Sequence, residues 1–170
     1  VLNADNGTSY TGNISSSTNG GVIKILNNNS LGNSTGTTTI GTGSTLFISG
    51  NALNITEPFI LNGDGIATNQ GAINNPSGNN TIAGAITLGS SARIVSGGSS
   101  TTDSLILKGN IATISGAILS MDAIKGMRLT GIISGAGGIA KNSSDTLLLF
   151  STGSNTYSGI TTINDGVVRI

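Results

Sequence analysis

The side chains best suited to catalysis or metal binding in this chain are seven carboxylic acids, because its 170 residues include no histidine and no cysteine. They are scattered singly, mostly beside glycine or in polar turns, at Asp5, Glu57, Asp64, Asp103, Asp122, Asp145 and Asp165. Without histidine, the usual base of a catalytic triad and the commonest metal ligand are missing. Without cysteine, disulfides, thiolate chemistry and most zinc sites are excluded. We therefore expect these acids to be turn residues, and we expect no catalytic, cofactor-binding or metal-binding residues.

Two glycine-rich stretches resemble functional loops only in composition. Asp64 stands between Gly63 and Gly65, as in a calcium loop, but the spaced acidic ligands and the terminal glutamate of such a loop are missing. Residues 135–138 read Gly-Ala-Gly-Gly, and no Lys-Ser/Thr pair follows them as it does in a phosphate-binding loop. Both stretches are predicted to be tight turns.

The composition limits both the fold and the partners. Hydrophobic residues make up 36% and aromatic residues 3%, which is low for the core of a globule, and 27 residues are glycine. A solenoid needs fewer large apolar side chains, because its core is a thin column between stacked coils. The formal net charge is zero with no basic cluster in the sequence, which argues against nucleic-acid binding and electrostatic docking on membranes. No apolar run approaches the roughly 20 residues that span a bilayer.

Short runs of isoleucine, leucine and valine alternate with Gly, Asn, Ser and Asp turns along most of the chain. This rhythm is typical of many short strands. Strands are predicted at 22–26, 37–40, 44–50, 59–61, 85–88, 92–95, 104–109, 131–134, 138–141, 145–150, 160–163 and 167–170. In several of them the apolar residues are two apart and so share one face of the strand.

An all-β solenoid accounts for these features better than a sandwich, which usually needs aromatic anchors in a larger core. We expect a right-handed parallel β-helix of roughly eight rungs, at about 20 residues a rung, because crossover sterics favour the right hand. The segment 95–128 is the exception to the pattern. It is predicted to form irregular rungs or a loop, because residues 121–129 could start a helical turn.

The two ends of the chain are similar. The tyrosine motifs around Tyr10 and Tyr157 are each followed by a Gly-Val-x-basic-Ile segment, which ends at Ile25 and Ile170. We interpret the chain as one β-solenoid domain over residues 1–170, one unit with a period of about 147 in a longer tandem array. Its end rungs would have unpaired backbone groups, so the expected partners are neighbouring coils or copies of the chain stacked end to end.

Residues 131–170 resemble the passenger-associated repeats of bacterial autotransporters and related giant surface proteins. The resemblance rests on Ile133-Ser-Gly-Ala-Gly-Gly-Ile139, Asn155-Thr-Tyr-Ser-Gly159 and Thr161-Thr-Ile-Asn-x-Gly166, and a looser similarity covers most of the chain except 95–128. It implies a right-handed parallel β-helix that is secreted and displayed on the bacterial cell surface.

The resulting hypothesis is an extracellular structural module, a stalk, filament or coat, that is not an enzyme, needs no cofactor and does not span the membrane. Two alternatives stay open. One is an adhesin that binds a host cell or a glycan surface through the segment 95–128. The other is a carbohydrate-active enzyme, since polysaccharide lyases share the β-helix, although the clustered acids and nearby base that they need are missing.

Overall fold

The computed structural model describes residues 1–7, 9–67, 70–98, 100 and 102–170. Within these ranges the chain forms eighteen strands and no helix. The strands are β1 (Ile14–Ser15), β2 (Val22–Ile25), β3 (Thr38–Ile40), β4 (Thr45–Ile48), β5 (Asn54–Ile55), β6 (Phe59–Gly63), β7 (Ile73–Asn75), β8 (Asn79–Ile82), β9 (Ile86–Ser96), β10 (Ser104–Leu107), β11 (Ile111–Thr113), β12 (Ile118–Ala123), β13 (Gly126–Leu129), β14 (Ile133–Gly135), β15 (Gly138–Lys141), β16 (Thr146–Leu149), β17 (Thr161–Ile163) and β18 (Val167–Arg169).

The strands stack on three faces and pair in parallel. The first face contains β1, β3, β6, the start of β9, β11 and β14. The second contains β2, β4, β7, the end of β9, β12, β15 and β17. The third contains β5, β8, β10, β13, β16 and β18. The 11-residue β9 takes part in both the first and the second face, and so joins them into one sheet.

Successive coils are in register, so equivalent side chains form columns in the interior. On the first face Phe59, Ile86, Ile111 and Ile133 lie one above the other, and each is buried. A column on the third face contains Ile55, Ile82, Leu107, Leu129 and Leu149. The predicted parallel β-solenoid is therefore confirmed, with about seven turns where roughly eight were expected. Its right hand stays a prediction.

Each predicted strand has a counterpart in the structure. Seven further strands were not predicted from the sequence: β1, β5, β7, β8, β11, β12 and β13. Most of these are very short or largely polar, as in the Ile-Asn-Asn of β7 and the Asn-Asn-Thr-Ile of β8. A strand of this kind has one or two apolar side chains of its own. It is held by backbone hydrogen bonds to the coils on either side, which leave no periodic signal in the sequence.

The segment 95–128, predicted to be irregular rungs or a loop, instead contains regular strands β10 to β12 and most of β13. Met121 and Met127, which suggested a helical turn, are both buried in the columns, beside Ile94 and Leu105 respectively. An unbranched thioether fills such a column as leucine does. Ser99 and Thr101, in the same segment, lie outside the described residues.

The similar ends of the chain lie on different faces. Val22–Ile25 is β2 of the second face, whereas Val167–Arg169 is β18 of the third face. The 145 residues between Val22 and Val167 are therefore not a whole number of coils, although the tyrosine motifs suggested a period of about 147. The tandem array inferred from it stays a prediction.

One corner of the solenoid depends on a column of glycines. A Cβ atom added to Gly84, Gly109 or Gly131 would lie 1.9, 1.9 and 2.1 Å from the carbonyl oxygen of Glu57, Gly84 and Gly109, respectively, one coil earlier. These obstructing atoms belong to the backbone and cannot rotate away. Glycine is therefore required here by the close approach of consecutive coils.

Replacing Gly109 by alanine is expected to destabilise the chain by about 3 kcal/mol or more, because the new methyl group overlaps a backbone carbonyl and forces two coils apart. Gly97→Ala is the matched control, since its Cβ would meet only Ile124 at 3.8 Å. The measurement is urea-induced unfolding followed by circular dichroism. Equal midpoints for the two variants would contradict the required contact.

Candidate functional site

The structure divides the seven acids into exposed and buried groups. Asp5, Asp64, Asp145 and Asp165 are exposed, as expected of turn residues, whereas Glu57, Asp103 and Asp122 are less than 10% exposed. Among the described residues, no three acids come together in a way that could hold a metal ion. The chemically unusual groups are thus single buried charges inside the coil stack.

Glu57 lies in the short connection between β5 and β6 and is 2% exposed. The Thr38 hydroxyl donates to its Oε1 at 3.3 Å, while its Oε2 is buried with no hydrogen-bond partner among the described residues. Burial raises the pKa of this carboxyl, and the Thr38 hydrogen bond opposes the shift. This burial could not be predicted from the sequence, because it is imposed by the coils above and below.

Asp122 differs from the turn residue that was expected, because it lies within β12. Its Oδ2 pairs with the Arg93 guanidinium of β9 at 3.3 Å. The two residues lie 29 positions apart in the sequence, on neighbouring coils. Only the winding of the chain brings them together.

Lys141, at the end of β15, is 1% exposed, and among the described residues it is the largest charged side chain that is fully buried. Its register position continues the column of Ile94 and Met121, so a lysine replaces an apolar side chain there. Its Nζ donates to the backbone carbonyl of Ser143, to Ser143 Oγ at 3.0 Å and to Asp165 O at 3.4 Å. Desolvation lowers the pKa of Lys141, and the charges of Asp165, Asp122 and Asp145 oppose that shift.

A second polar position in the core is Asn80, in the column of Leu105, Met127 and Leu147. Its amide nitrogen donates to Asn75 Oδ1 at 2.7 Å and to Gly50 O at 2.9 Å, and its oxygen accepts from Leu53 N at 2.9 Å. This side chain satisfies backbone groups of neighbouring coils. Such an arrangement is structural rather than catalytic.

The glycine-rich stretch at 135–138 forms the corner between β14 and β15, as predicted. A Cβ at Gly135 would lie 2.0 Å from Thr113 O, and one at Gly137 would lie 2.6 Å from Ala117 O. The previous coil therefore fills the space where a phosphate would have to bind.

The third face has a groove on its outer surface, with a volume of about 450 Å³. We name it the arginine groove and define it by Ile106, Gly126, Arg128, Asp145, Leu148 and Arg169. The register stacks Ile106, Arg128, Leu148 and Arg169 in one row across four consecutive coils. These arginines do not form a basic cluster in the sequence, because they are 41 residues apart in the chain. The row exists only once the coils are wound.

Arg128 is held at this groove by an aromatic ring. Its guanidinium carbon lies 5.6 Å from the centre of the Phe150 ring, a cation–π distance. Within the described ranges, neither Arg128 nor Arg169 forms an ion pair with a carboxylate. Both guanidiniums are exposed.

One segment of the chain matches a known protein family. Residues 139–170, which include most of β15 and all of β16, β17 and β18, match the model of a family described as the passenger-associated-transport-repeat. The resemblance expected from the motifs in 131–170 is thus confirmed over this segment. No curated protein and no solved structure matches the chain significantly.

The chain is thus a parallel β-solenoid whose residues 139–170 are similar to the passenger-associated-transport-repeat. None of the described residues belongs to a helix long and apolar enough to cross a membrane.

Glu57→Gln is expected to stabilise the chain at pH 7 and to lose this advantage in acid. The folded-state pKa of Glu57 lies above its usual 4.5, so between these two pKa values the folded protein holds a proton that the unfolded chain has released. The free energy of unfolding therefore falls as pH rises through this range. A neutral amide avoids this loss. The free energy of unfolding would be measured from pH 3 to pH 7, with the exposed Asp64→Asn as control. An advantage that does not shrink toward pH 3 would contradict the assignment.

Lys141 has the opposite dependence on pH. Its folded-state pKa lies below the usual 10.5, so the unfolded chain holds more protons between the two values and the free energy of unfolding rises with pH there. Relative to Lys141→Met, the unmodified chain should therefore gain stability as pH rises toward 10.5. Lys24→Met, at an exposed position, should show no such trend relative to the unmodified chain in parallel urea titrations.

Proposed function

We propose that the chain is a structural β-helical module of a large bacterial surface or secreted protein, in which it forms part of a stalk, filament or coat. The passenger-associated match at residues 139–170 supports the bacterial surface or secreted setting. The observation that carries the mechanical role is the in-register parallel pairing of strands from β1 to β18. A continuous ladder of backbone hydrogen bonds with a packed column inside resists bending and stretching.

The last coil supports stacking of a further coil on the chain. Ile163 occupies the interior column of Lys141, yet it is 54% exposed. Val167 and Ile170 are exposed to 50% and 92%. Within the described part of the chain, strands β17 and β18 each pair on one side only, with β15 and β16 respectively. Unpaired strand edges with exposed apolar side chains favour addition of another strand. We propose that this strand comes from a neighbouring coil or from a second copy of the chain.

We also propose that the module is not an enzyme. The buried acids support this, because each is engaged in the interior. Glu57 contacts Thr38, Asp122 pairs with Arg93, and Asp103 accepts from Gly78 N at 2.7 Å. A glycoside hydrolase needs two carboxyl groups facing one substrate bond, and a polysaccharide lyase needs clustered acids beside a base. An assay for new reducing ends after incubation with acidic and neutral polysaccharides tests this proposal, and turnover would overturn it.

Adhesion is the second candidate function. It is favoured by the arginine groove, whose residues Ile106, Gly126 and Arg128 fall within the segment 95–128. Deleting that segment would remove the central coils, so point substitutions on the groove are the better test.

Stacking can be tested by adding one coil. Arg169 pairs with Leu148, so Ile170 is equivalent to Leu149 on the previous coil. A second copy of residues 150–170 placed after Ile170 therefore continues the winding in phase. The backbone amides of β17 and β18 that point away from β15 and β16 should then exchange with solvent at least about tenfold more slowly, because they gain hydrogen-bond partners. Hydrogen exchange read by mass spectrometry or NMR measures this.

The control carries the same added residues with proline in place of the added copies of Thr162 and Val167, whose backbone N–H groups point to the previous coil. Proline cannot donate to a ladder, so the control coil should not protect β17 or β18. Equal exchange with the proline-free addition and with the control would contradict stacking.

A further inference from the structure

The arginine groove has the features of a binding site. Its positive groups, Arg128 and Arg169, lie two rungs apart, which corresponds to about 9.6 Å along the solenoid axis. Between them lies the partly buried Leu148, with Ile106 one rung further along the row. Gly126 has no side chain, so the floor of the groove is open at this position. The groove thus alternates apolar and cationic positions along the axis of the coil stack.

The positive charge of the groove is available to a ligand. Arg93 pairs with Asp122 and Lys141 is buried, whereas Arg128 and Arg169 are exposed and, in the described part of the chain, form no ion pair. The Phe150 ring holds the Arg128 guanidinium in place and so reduces the entropy that it loses on binding. A planar guanidinium can bind a carboxylate through two parallel hydrogen bonds.

The groove also contains an acceptor and apolar surface. The exposed Asp145 carboxylate lines it, and its Oδ1 accepts from Thr146 N at 2.7 Å. A carboxylate at this position can accept hydrogen bonds from hydroxyl groups. The Ile106 and Leu148 side chains offer apolar surface to the C–H face of a sugar ring. Carboxylate, hydroxyl groups and an apolar ring face occur together in a uronic acid.

The strand pairing argues against an extended peptide as the ligand. Such a peptide gains affinity by adding to a free strand edge. Strands β10, β13 and β16, which form most of the groove, are each paired on both sides. The ligand must therefore be recognised by side chains, across the strands rather than along them. A single aromatic ring, already covered by Arg128, also offers no row of stacking surfaces for the bases of a nucleic acid.

We propose that the arginine groove binds an acidic polysaccharide, with its chain along the solenoid axis and its carboxylates on Arg128 and Arg169. Sugar hydroxyls donate to Asp145, and ring faces pack on Ile106 and Leu148. This inference deepens the adhesive candidate function, and it does not depend on the stacking of further coils.

The test measures binding of the 170-residue chain to polygalacturonate, with dextran as the neutral polymer and inorganic polyphosphate as an anion without sugar. We expect binding to polygalacturonate that weakens with added salt. Dextran and polyphosphate should bind at least about tenfold more weakly, because dextran has no charge and polyphosphate has no sugar ring.

Arg128→Gln and Arg169→Gln should each weaken polygalacturonate binding about tenfold, because a charge-assisted hydrogen bond is lost. Arg128→Lys should also weaken it, because lysine keeps the charge but not the planar pair of donors. Lys24→Gln is the matched control, since it changes the net charge equally at an exposed position of the second face, and it should leave the affinity within about twofold. Circular dichroism checks that each variant is folded.

Absence of polygalacturonate binding would overturn the proposal. Equal binding of polyphosphate, or an equal loss with Lys24→Gln and Arg128→Gln, would also overturn it, since either result means attraction by charge alone. The hydrogen-exchange test of stacking involves no ligand. Failure of the groove and failure of the structural module can therefore be told apart.

Discussion

In-register parallel pairing between successive coils is the constraint on which the rest of this structure depends. Each coil must lie one strand spacing from the next around three faces, so equivalent positions are stacked in columns. Inside, the columns select isoleucine, leucine and methionine of matching size, as in Ile86, Ile111 and Ile133. At one corner the same spacing leaves no room for a Cβ atom and requires glycine at 84, 109 and 131. Core packing and corner chemistry are two consequences of one geometric repeat.

The same constraint explains how the interior tolerates polar residues. Lys141 and Asn80 occupy column positions that are apolar in neighbouring coils. A buried polar group is costly unless it is hydrogen-bonded, and here the partners are backbone carbonyls and amides at the turns of the same or adjacent coils. Glu57 is less well satisfied, because its Oε2 has no hydrogen-bond partner among the described residues. Burial shifts the pKa of Glu57 and of Lys141 in opposite directions, so we expect these two side chains to make folding depend on pH.

A repeating coil also generates surface features from a nearly neutral chain. Residues that share a register position on adjacent coils form a row on the outside, whatever their separation in sequence. Arg128 and Arg169 are placed in one row with Ile106 and Leu148 in this way. A rigid scaffold holds such a row at fixed spacing, which suits a long ligand with a regular repeat of its own. The structural and adhesive roles are therefore compatible on one molecule.

The sequence by itself determined the all-β class, the parallel solenoid, the positions of the strands that carry several apolar residues, and the resemblance of residues 131–170 to passenger-associated repeats. Those features depend on the alternation of short apolar runs with turn residues, which is visible in consecutive positions of the sequence. The tertiary structure decided the strands in 95–128, the burial of Lys141 and Glu57, the Arg93–Asp122 pair and the arginine groove. Each of these depends on which residues lie one coil apart. From β3 to β14 on the first face, residues that lie one above the other are between 21 and 27 positions apart in the chain, so this register could not be counted from the sequence.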